Sequence, residues 1–415
     1  MTPVSLAEVE ATGQIGVARV ADFSRGQLVE LDACVSCGRC EDSCPAFEAG
    51  KPLSPRNVVQ NLVAALNRDG IQANVHGEVI AAETLWSCTT CGACADVCPL
   101  GISPMRMITD MRRYLIGEGA LRGSPAVALQ KTDRAGNPWG LSPAERFAWA
   151  DGLDVPLASR HADFEVLYWV GCAAAYDRRV QKVARSFVRL LQAAGVNFAV
   201  LGPEERCTGE SARRMGDELL FQQLAASNVE TLSRRNVRRI VAHCPHCVNS
   251  LRNDYPQAGG QYEVMHHSQL LAELVEQGRL RLAGTDQASA AAMTYHDPCY
   301  LARANGVTEE PRAVLAAVAS AGGGLPIVEL PRNRCQTSCC GGGGGRMWFD
   351  DSLAQRVGQG RVREIAASGA ATVAVSCPFC LTMLSDGLAA TKPDVRVRDI
   401  AEVLADAVLG PAATA

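Results

Sequence analysis

From about residue 164 onward, short apolar runs alternate with longer stretches of helical period. Runs at 166–170, 198–201 and 240–242 read as strands, and Val180, Val183, Phe187, Leu190 and Leu191 share one face of an intervening helix. The order returns from residue 292, with runs at 293–295, 327–330 and 373–375 and helices expected near 310–321, 350–367 and 380–389. Each series closes alike, with a strand and a helix at 262–265 and 270–275, then at 395–397 and 400–405. Such alternation predicts α/β organisation, present twice. Upstream the pattern differs. Residues 1–30 are polar and predict an arm with one short helix, while 57–80 opens with helical spacing at Val58, Leu62, Ala65 and Leu66. Residues 117–160 are rich in Gly, Pro and Asp; because Trp139, Phe147 and Trp149 call for burial, they predict a linker that wraps against the protein.

Cysteine fixes the register of the repeat. The first copy carries Cys172, Cys207 and Cys244-Pro-His-Cys247; the second carries Cys299, Cys339-Cys340 and Cys377-Pro-Phe-Cys380. Cys207 lies 37 positions before Cys244, and Cys340 lies 37 before Cys377, so the copies are offset by 133. At that offset Cys339 corresponds to Arg206, and the first copy has four cysteines where the second has five. Cys335 has no counterpart, since Gly202 stands at its place, and reads equally as a buried thiol or a functional one.

Two further clusters precede the repeat. Cys34-Val-Ser-Cys37-Gly-Arg-Cys40-Glu-Asp-Ser-Cys44-Pro45 and Cys88-Thr-Thr-Cys91-Gly-Ala-Cys94-Ala-Asp-Val-Cys98-Pro99 are both C-x₂-C-x₂-C-x₃-C-P. That run holds [4Fe–4S] cubanes: three closely spaced thiolates wrap one cluster, and the fourth ligates the other cluster of the pair. The crossed assignment gives Cys34, Cys37, Cys40 and Cys98 to one cubane. Cys88, Cys91, Cys94 and Cys44 go to the second. Zinc knuckles explain the spacing less well, because a tetrahedral site has no use for the C-x₃-C-P tail.

Composition narrows the class. With 18 cysteines in 415 residues, 47% hydrophobic and 20% charged, the chain can build a core without disulfide staples. Residues 1–30 lack a basic-then-apolar leader, which points to a reducing, cytoplasmic compartment where clustered Cys means metal or redox chemistry. A net charge of −4 argues against a nucleic-acid partner, and the arginines of 234–239 read as a solvated helix face. No apolar run reaches 18 residues, so the expected protein is soluble and at most peripheral to a membrane. Gly358-Gln-Gly360 lacks the third glycine and preceding strand of a dinucleotide fingerprint. Among the histidines, His243, His246, His266, His267 and His296 lie beside ligand cysteines or at strand ends. They read first as structural and second as proton donors.

The separation of the two ferredoxin-type motifs resembles the helical ferredoxin domain of succinate dehydrogenase iron–sulfur subunits and heterodisulfide reductases. Cys299, Cys339-Cys340-Gly341 and Cys377-x-x-Cys380 resemble the cysteine-rich "CCG" domain. A ferredoxin domain followed by two such domains resembles the heterodisulfide reductase D-type subunits. It is also the layout of relatives serving glycolate, lactate and glycerol-3-phosphate oxidation. Asp110-Met-Arg-Arg-Tyr114, Gly136-Asn-Pro-Trp-Gly140, Trp169-Val-Gly-Cys172, His296-Asp-Pro-Cys-Tyr300 and the glycine run after Cys340 are similar to the branch that takes electrons from electron-transfer flavoprotein.

The resemblance implies an α+β multi-domain chain: an N-terminal arm at 1–30, a helical two-cluster ferredoxin domain at 31–118 and a linker at 119–163. A degenerate CCG-type domain at 164–283 and a complete one at 290–410 would follow, pseudo-symmetric to each other. It further implies a non-cubane [4Fe–4S] cluster on Cys299, Cys339, Cys340, Cys377 and Cys380, the catalytic centre. For Cys172, Cys207, Cys244 and Cys247 it leaves zinc or a further iron–sulfur cluster. The expected function is an oxidoreductase subunit of a hetero-complex. It would pass electrons from a flavoprotein through the cubanes to the non-cubane centre, then to a membrane quinone-reactive subunit at the cytoplasmic face of the inner membrane. Alternatives are a disulfide reductase subunit, the iron–sulfur subunit of a glycolate- or lactate-type oxidase, and a zinc-only scaffold.

Overall fold

The computed structural model describes residues 2–282, 292–323 and 326–410; the expected domain limits at 283 and 290 fall outside the described residues. The chain is α+β and multi-domain, and its contacts form two compact units, each drawing on separated stretches of sequence.

One unit comprises residues 1–129, 209–222 and 338–360 and is helical. Its helix Pro55–Asp69 shows how sequence sets the element. The Ser54 hydroxyl accepts from the Asn57 amide at 3.0 Å, Pro55 fills the first helical position, and Gly70 closes the end at φ +75°. Val58, Val59, Leu62 and Ala65 form the buried stripe. A second helix, Pro104–Gly117, buries Met107, Ile108, Met111 and Leu115 together with Arg112 and Arg113. The N-terminal arm departs from the single short helix expected. It holds helices Leu6–Thr12 and Arg25–Asp32 with a 3₁₀ turn at Val20–Asp22, and Val17, Val20, Phe23 and Leu31 join the core. Apolar spacing does not register this second helix, because a reciprocal capping box between Ser24 and Gln27 starts it.

The other unit comprises residues 130–208, 223–337 and 361–415 and holds two four-stranded parallel sheets. Strands β1 (Val166–Trp169), β2 (Phe198–Ala199), β3 (Arg239–Ala242) and β4 (Glu263–His266) lie in the order β2-β1-β3-β4. Strands β5 (Met293–Tyr295), β6 (Ile327–Val328), β7 (Thr372–Val375) and β8 (Arg396–Asp399) repeat it as β6-β5-β7-β8. Leu167 pairs with Ile240 in one sheet and Thr294 with Val373 in the other. In each sheet the chain leaves the first strand toward one neighbour and returns to pair on its other side. The crevice beyond the strands' carboxyl ends is the usual binding place in such sheets. The amphipathic helix Arg178–Ala193, capped by Asp177, buries the predicted Val180, Val183, Phe187, Leu190 and Leu191.

Two further expectations are corrected, those for the helix at 350–367 and for the arginines of 234–239. The helix at 350–367 begins only at Gln359; before it lie 3₁₀ turns at Arg346–Trp348 and Leu353–Gln355. Gly358 explains the late start, because a Cβ there would meet the Cys340 carbonyl oxygen at 2.2 Å, so the backbone is committed to that contact. The linker carries structure of its own, a helix at Ser124–Ala135 and a 3₁₀ segment at Pro143–Ala150 that buries Trp149. The arginines of 234–239 form no helix face: the helix Glu218–Arg234 stops there, Asn236 turns at φ +51°, and β3 starts at Arg239.

Candidate metal centres

The two ferredoxin-type loops have the same backbone. Ser36 and Gly38 in one, Thr90 and Gly92 in the other, take positive φ of +55°, +86°, +50° and +76°. Gly38 and Gly92 then cap the one-turn helices Arg39–Asp42 and Ala93–Asp96. Left-handed residues at these two places curl the loop so that amides face its own thiols, and the Thr90 amide reaches Cys88 Sγ at 3.3 Å. Short-range electrostatics groups the thiols. Burial, then Cys34, with Cys98 also contributing, pushes Cys40 up to about 11. Burial, then Cys91, with Cys88 also contributing, raises Cys44. Cys94 is raised by burial, Cys88, Cys91 and Cys44. One pocket is lined by Cys34, Cys37, Cys40 and Cys98, with Cys94 of the second motif also on its wall. Crowded thiols that oppose each other's ionisation fit a cationic cluster, which binds thiolates and supplies the compensating charge.

In the same unit, the loop after the vicinal cysteines folds against the second of these motifs. Cys339 Sγ and Thr89 Oγ1 are 3.6 Å apart, and the Gly341 amide donates to Cys339 Sγ at 3.3 Å. A Cβ on Gly344, at φ +64°, would strike the Cys88 carbonyl oxygen at 2.4 Å, so the run of glycines is what lets the backbones approach. Burial raises the Cys88 thiol; Arg112 opposes that rise and Cys339 adds to it.

In the other unit, each sheet delivers cysteines beyond its strand ends: Cys172 after β1, Cys244 after β3, Cys299 after β5 and Cys377 after β7. Cys244 and Cys377 each cap a helix whose first residue is proline. Cys377 is buried, which favours the thiol, yet hydrogen bonds from Cys380 and His246 bring it down to about 5. His296 Nε2 lies 3.3 Å from Cys380 Sγ. Of the five cysteines expected at one centre, Cys339 and Cys340 fall in the first unit and Cys299, Cys377 and Cys380 in the second.

The four cysteines of the first copy are gathered within the second unit. A hydrogen bond from Cys207 lowers Cys172 to about 7 against its burial, and Arg146 helps. Cys247 is pushed up by Cys244, by burial and by Cys172. Sequence reasoning missed the partners. Arg146 places Nη1 and Nη2 each 3.6 Å from Cys172 Sγ, and its Nη2 pairs with Glu205 Oε1 at 2.6 Å. Glu205 also accepts from the Val170 and Gly171 amides at 3.0 and 2.8 Å. Four thiolates on a divalent ion carry net negative charge, and a buried guanidinium beside one of them fits that load.

Most of the buried histidines are held by neighbouring protein groups. Desolvation first of all brings His243, His267 and His296 down to about 3, so they are neutral at ordinary pH. His267 Nε2 meets Asp399 at 2.9 Å, and the His266 ring contacts the His243 and Ser376 carbonyl oxygens at 3.3 and 3.0 Å. Cys335 is exposed rather than buried, with its thiol 3.6 Å from the Ala302 carbonyl oxygen.

Paired cysteine loops joined to a duplicated parallel sheet with cysteines beyond its strand ends define an iron–sulfur oxidoreductase of the cysteine-rich-domain class. The 4Fe-4S dicluster domain matches residues 30–102, and the cysteine-rich domain matches residues 166–252 and 293–385. The chain is 33% identical over 401 residues to the D-type subunit of the dihydromethanophenazine:CoB–CoM heterodisulfide reductase of Methanosarcina barkeri, covering 92% of this chain and 95% of that one. The chain belongs to the family of these D-type heterodisulfide reductase proteins. It is also 37% identical to the probable iron-sulfur-binding oxidoreductase FadF of Bacillus subtilis, over 97% of this chain and 63% of FadF. Identity is 36% to the EtfAB:quinone oxidoreductase of Syntrophomonas wolfei, over 95% of this chain and 61% of that protein. The chain thus spans somewhat under two thirds of these two relatives. Among the described residues no helix is long and apolar enough to cross a membrane.

Proposed function

We propose that the chain is an electron-transfer subunit taking electrons from a flavoprotein, electron-transfer flavoprotein or a linked dehydrogenase, and passing them toward a quinone-reactive membrane partner. Two cubanes would be held by Cys34, Cys37, Cys40 and Cys98 and by Cys88, Cys91, Cys94 and Cys44. Cys299, Cys339, Cys340, Cys377 and Cys380 would ligate a non-cubane [4Fe–4S] cluster, and Cys172, Cys207, Cys244 and Cys247 a closed zinc or iron–sulfur site. When bound, these clusters supply one-electron redox chemistry. The observation that carries the reading is the approach of the Cys339 loop to the Cys88 loop, with Cys339 Sγ 3.6 Å from Thr89. That contact would bring an onward acceptor beside the second cubane. The thiol grouping, with Cys98 acting on Cys40 and Cys44 on Cys94, supports crossed ligation. We further propose the cytoplasmic face of the inner membrane as the working place, within a hetero-complex.

The test is anaerobic. Reduced electron-transfer flavoprotein should bleach the iron–sulfur absorption of the loaded protein, whereas a long-chain quinone should be reduced only slowly until a membrane partner is added. Failure of any reduced flavoprotein to bleach it, or fast quinone reduction by the chain alone, would contradict the proposal. Cys98→Ser should perturb the paramagnetic signal of the cluster on Cys34, Cys37 and Cys40; loss of the other cubane instead would refute the crossing.

A second reading, as part of a disulfide reductase, is favoured by one feature: His246 hydrogen-bonds Cys377, a thiol held near 5. Turnover of a mixed disulfide with reduced flavoprotein would select it.

A further inference from the structure

Two consecutive arginines lie on the buried side of the helix Pro104–Gly117, and they are used differently. Arg113 meets Asp110 at 2.6 Å and Glu218 at 2.7 Å, an arrangement that belongs to the core. Arg112 is fully enclosed and aims its fork at backbone oxygens. Nε and Nη2 donate to the Leu85 carbonyl at 3.0 and 2.6 Å, and Nη2 also donates to that of Cys88 at 2.6 Å. Nη1 donates to the carbonyls of Arg214 at 2.7 Å and Gly344 at 3.3 Å. The guanidinium also sits 5.3 Å from the centre of the Trp86 ring. One side chain therefore ties a cysteine of the second ferredoxin motif to the glycine run that follows Cys339 and Cys340. The backbone around it is built for closeness: a Cβ on Gly344 would hit the Cys88 carbonyl, and one on Gly216 would lie 2.6 Å from the carbonyl carbon of Arg112.

We propose that Arg112 is a redox-positioning residue. Its fixed charge favours reduction of the centre on the Cys88 side over the one on the Cys34 side. Its fork also holds the Cys339–Cys340 loop in place to receive the electron. Adding an electron to a thiolate-bound cluster increases its negative charge, and a buried cation nearby stabilises that form strongly where water is excluded. The step is a single electron: the Cys34-side centre loses one, the Cys88-side centre gains one, and no bond or proton moves. Arginine suits the place because its charge does not titrate and its planar fork reaches several carbonyls at once. Lysine would keep the charge and lose the clamp. The inference rests on the two-cubane reading above, which wild-type iron content and two resolvable potentials check independently.

The experiment is a potentiometric titration of the anaerobic, fully loaded protein followed by electron paramagnetic resonance, with Arg112→Gln and Arg112→Lys beside the wild type. In Arg112→Gln the electron distribution between the two cubanes should shift about tenfold toward the Cys34 side, or about 59 mV for one electron. The potential of the Cys34-side cluster should not move. Arg112→Lys should keep the distribution within about threefold, while rapid-freeze kinetics show slower arrival of the electron at the centre containing Cys340. An unshifted Cys88-side potential in a fully loaded Arg112→Gln protein would overturn the charge role, as would equal shifts in both cubanes. If the glutamine variant fails to load, the lysine variant decides: unchanged arrival kinetics would overturn the clamp. Absence of two cubanes in the wild type would instead overturn the functional reading.

Discussion

The two cysteine-rich repeats share strand order, a parallel register and a Cys-Pro-x-Cys helix start, yet they differ where a second vicinal cysteine stands or does not. The second repeat reads Ser338-Cys339-Cys340; the first reads Glu205-Arg206-Cys207 at the same offset. Replacing the serine by Glu205 has a structural consequence. Its carboxylate takes the Val170 and Gly171 amides and the Arg146 guanidinium, and Arg146 in turn lies against Cys172. The first repeat thus carries an ion pair with both partners buried at this place. The same trade recurs at the end of the fourth strand. There His266 of the first repeat corresponds to Asp399 of the second, each opening a helix through a capping box. Duplication has thus kept the scaffold and changed the charges around the thiols.

The comparison can be broken first at Arg146. Arg146→Met should lower the metal affinity of the first repeat about 10- to 100-fold, as removal of an outer-shell partner does. Competition with a chromogenic chelator would measure it. The paramagnetic signal of the second repeat should persist. Unchanged affinity would mean that Arg146 serves packing alone.

A smaller effect is expected at Asp399. Burial foremost raises its carboxyl from 3.8 to about 7. The unfolded chain releases this proton first, so stability from this group is present at low pH and is lost as pH rises from about 4 to about 7. In Asp399→Asn that part of the stability profile should flatten, as followed by thermal unfolding across this range. A profile identical to wild type would place the titration elsewhere.

Legibility in the sequence followed range. The ferredoxin motifs, the repeat and its offset were all readable, because ligand spacing and strand period are local and the copies check each other. Strands β1, β3, β5 and β7 fell within a residue or so of their expected places. What escaped was long in range. Nothing local marks Arg112 as the partner of Gly344, 232 positions away, or Arg146 as the neighbour of Cys172. One trace was present: Arg112 interrupts the apolar stripe of Ile108, Met111 and Leu115, and a charged residue on a buried face asks for a partner. The expected helix at 350–358 failed for a similar reason, since the backbone there is spent on the contact of Gly358 with Cys340.

The most direct test of the division between the repeats is electron paramagnetic resonance of Cys340→Ala and Cys207→Ala prepared side by side. The account predicts that Cys340→Ala abolishes the signal of the non-cubane centre while leaving the fold intact. Cys207→Ala should keep that signal and lower the thermal midpoint, because metal-binding free energy in a closed site is folding free energy. Equal loss of the same redox signal from both variants would contradict it.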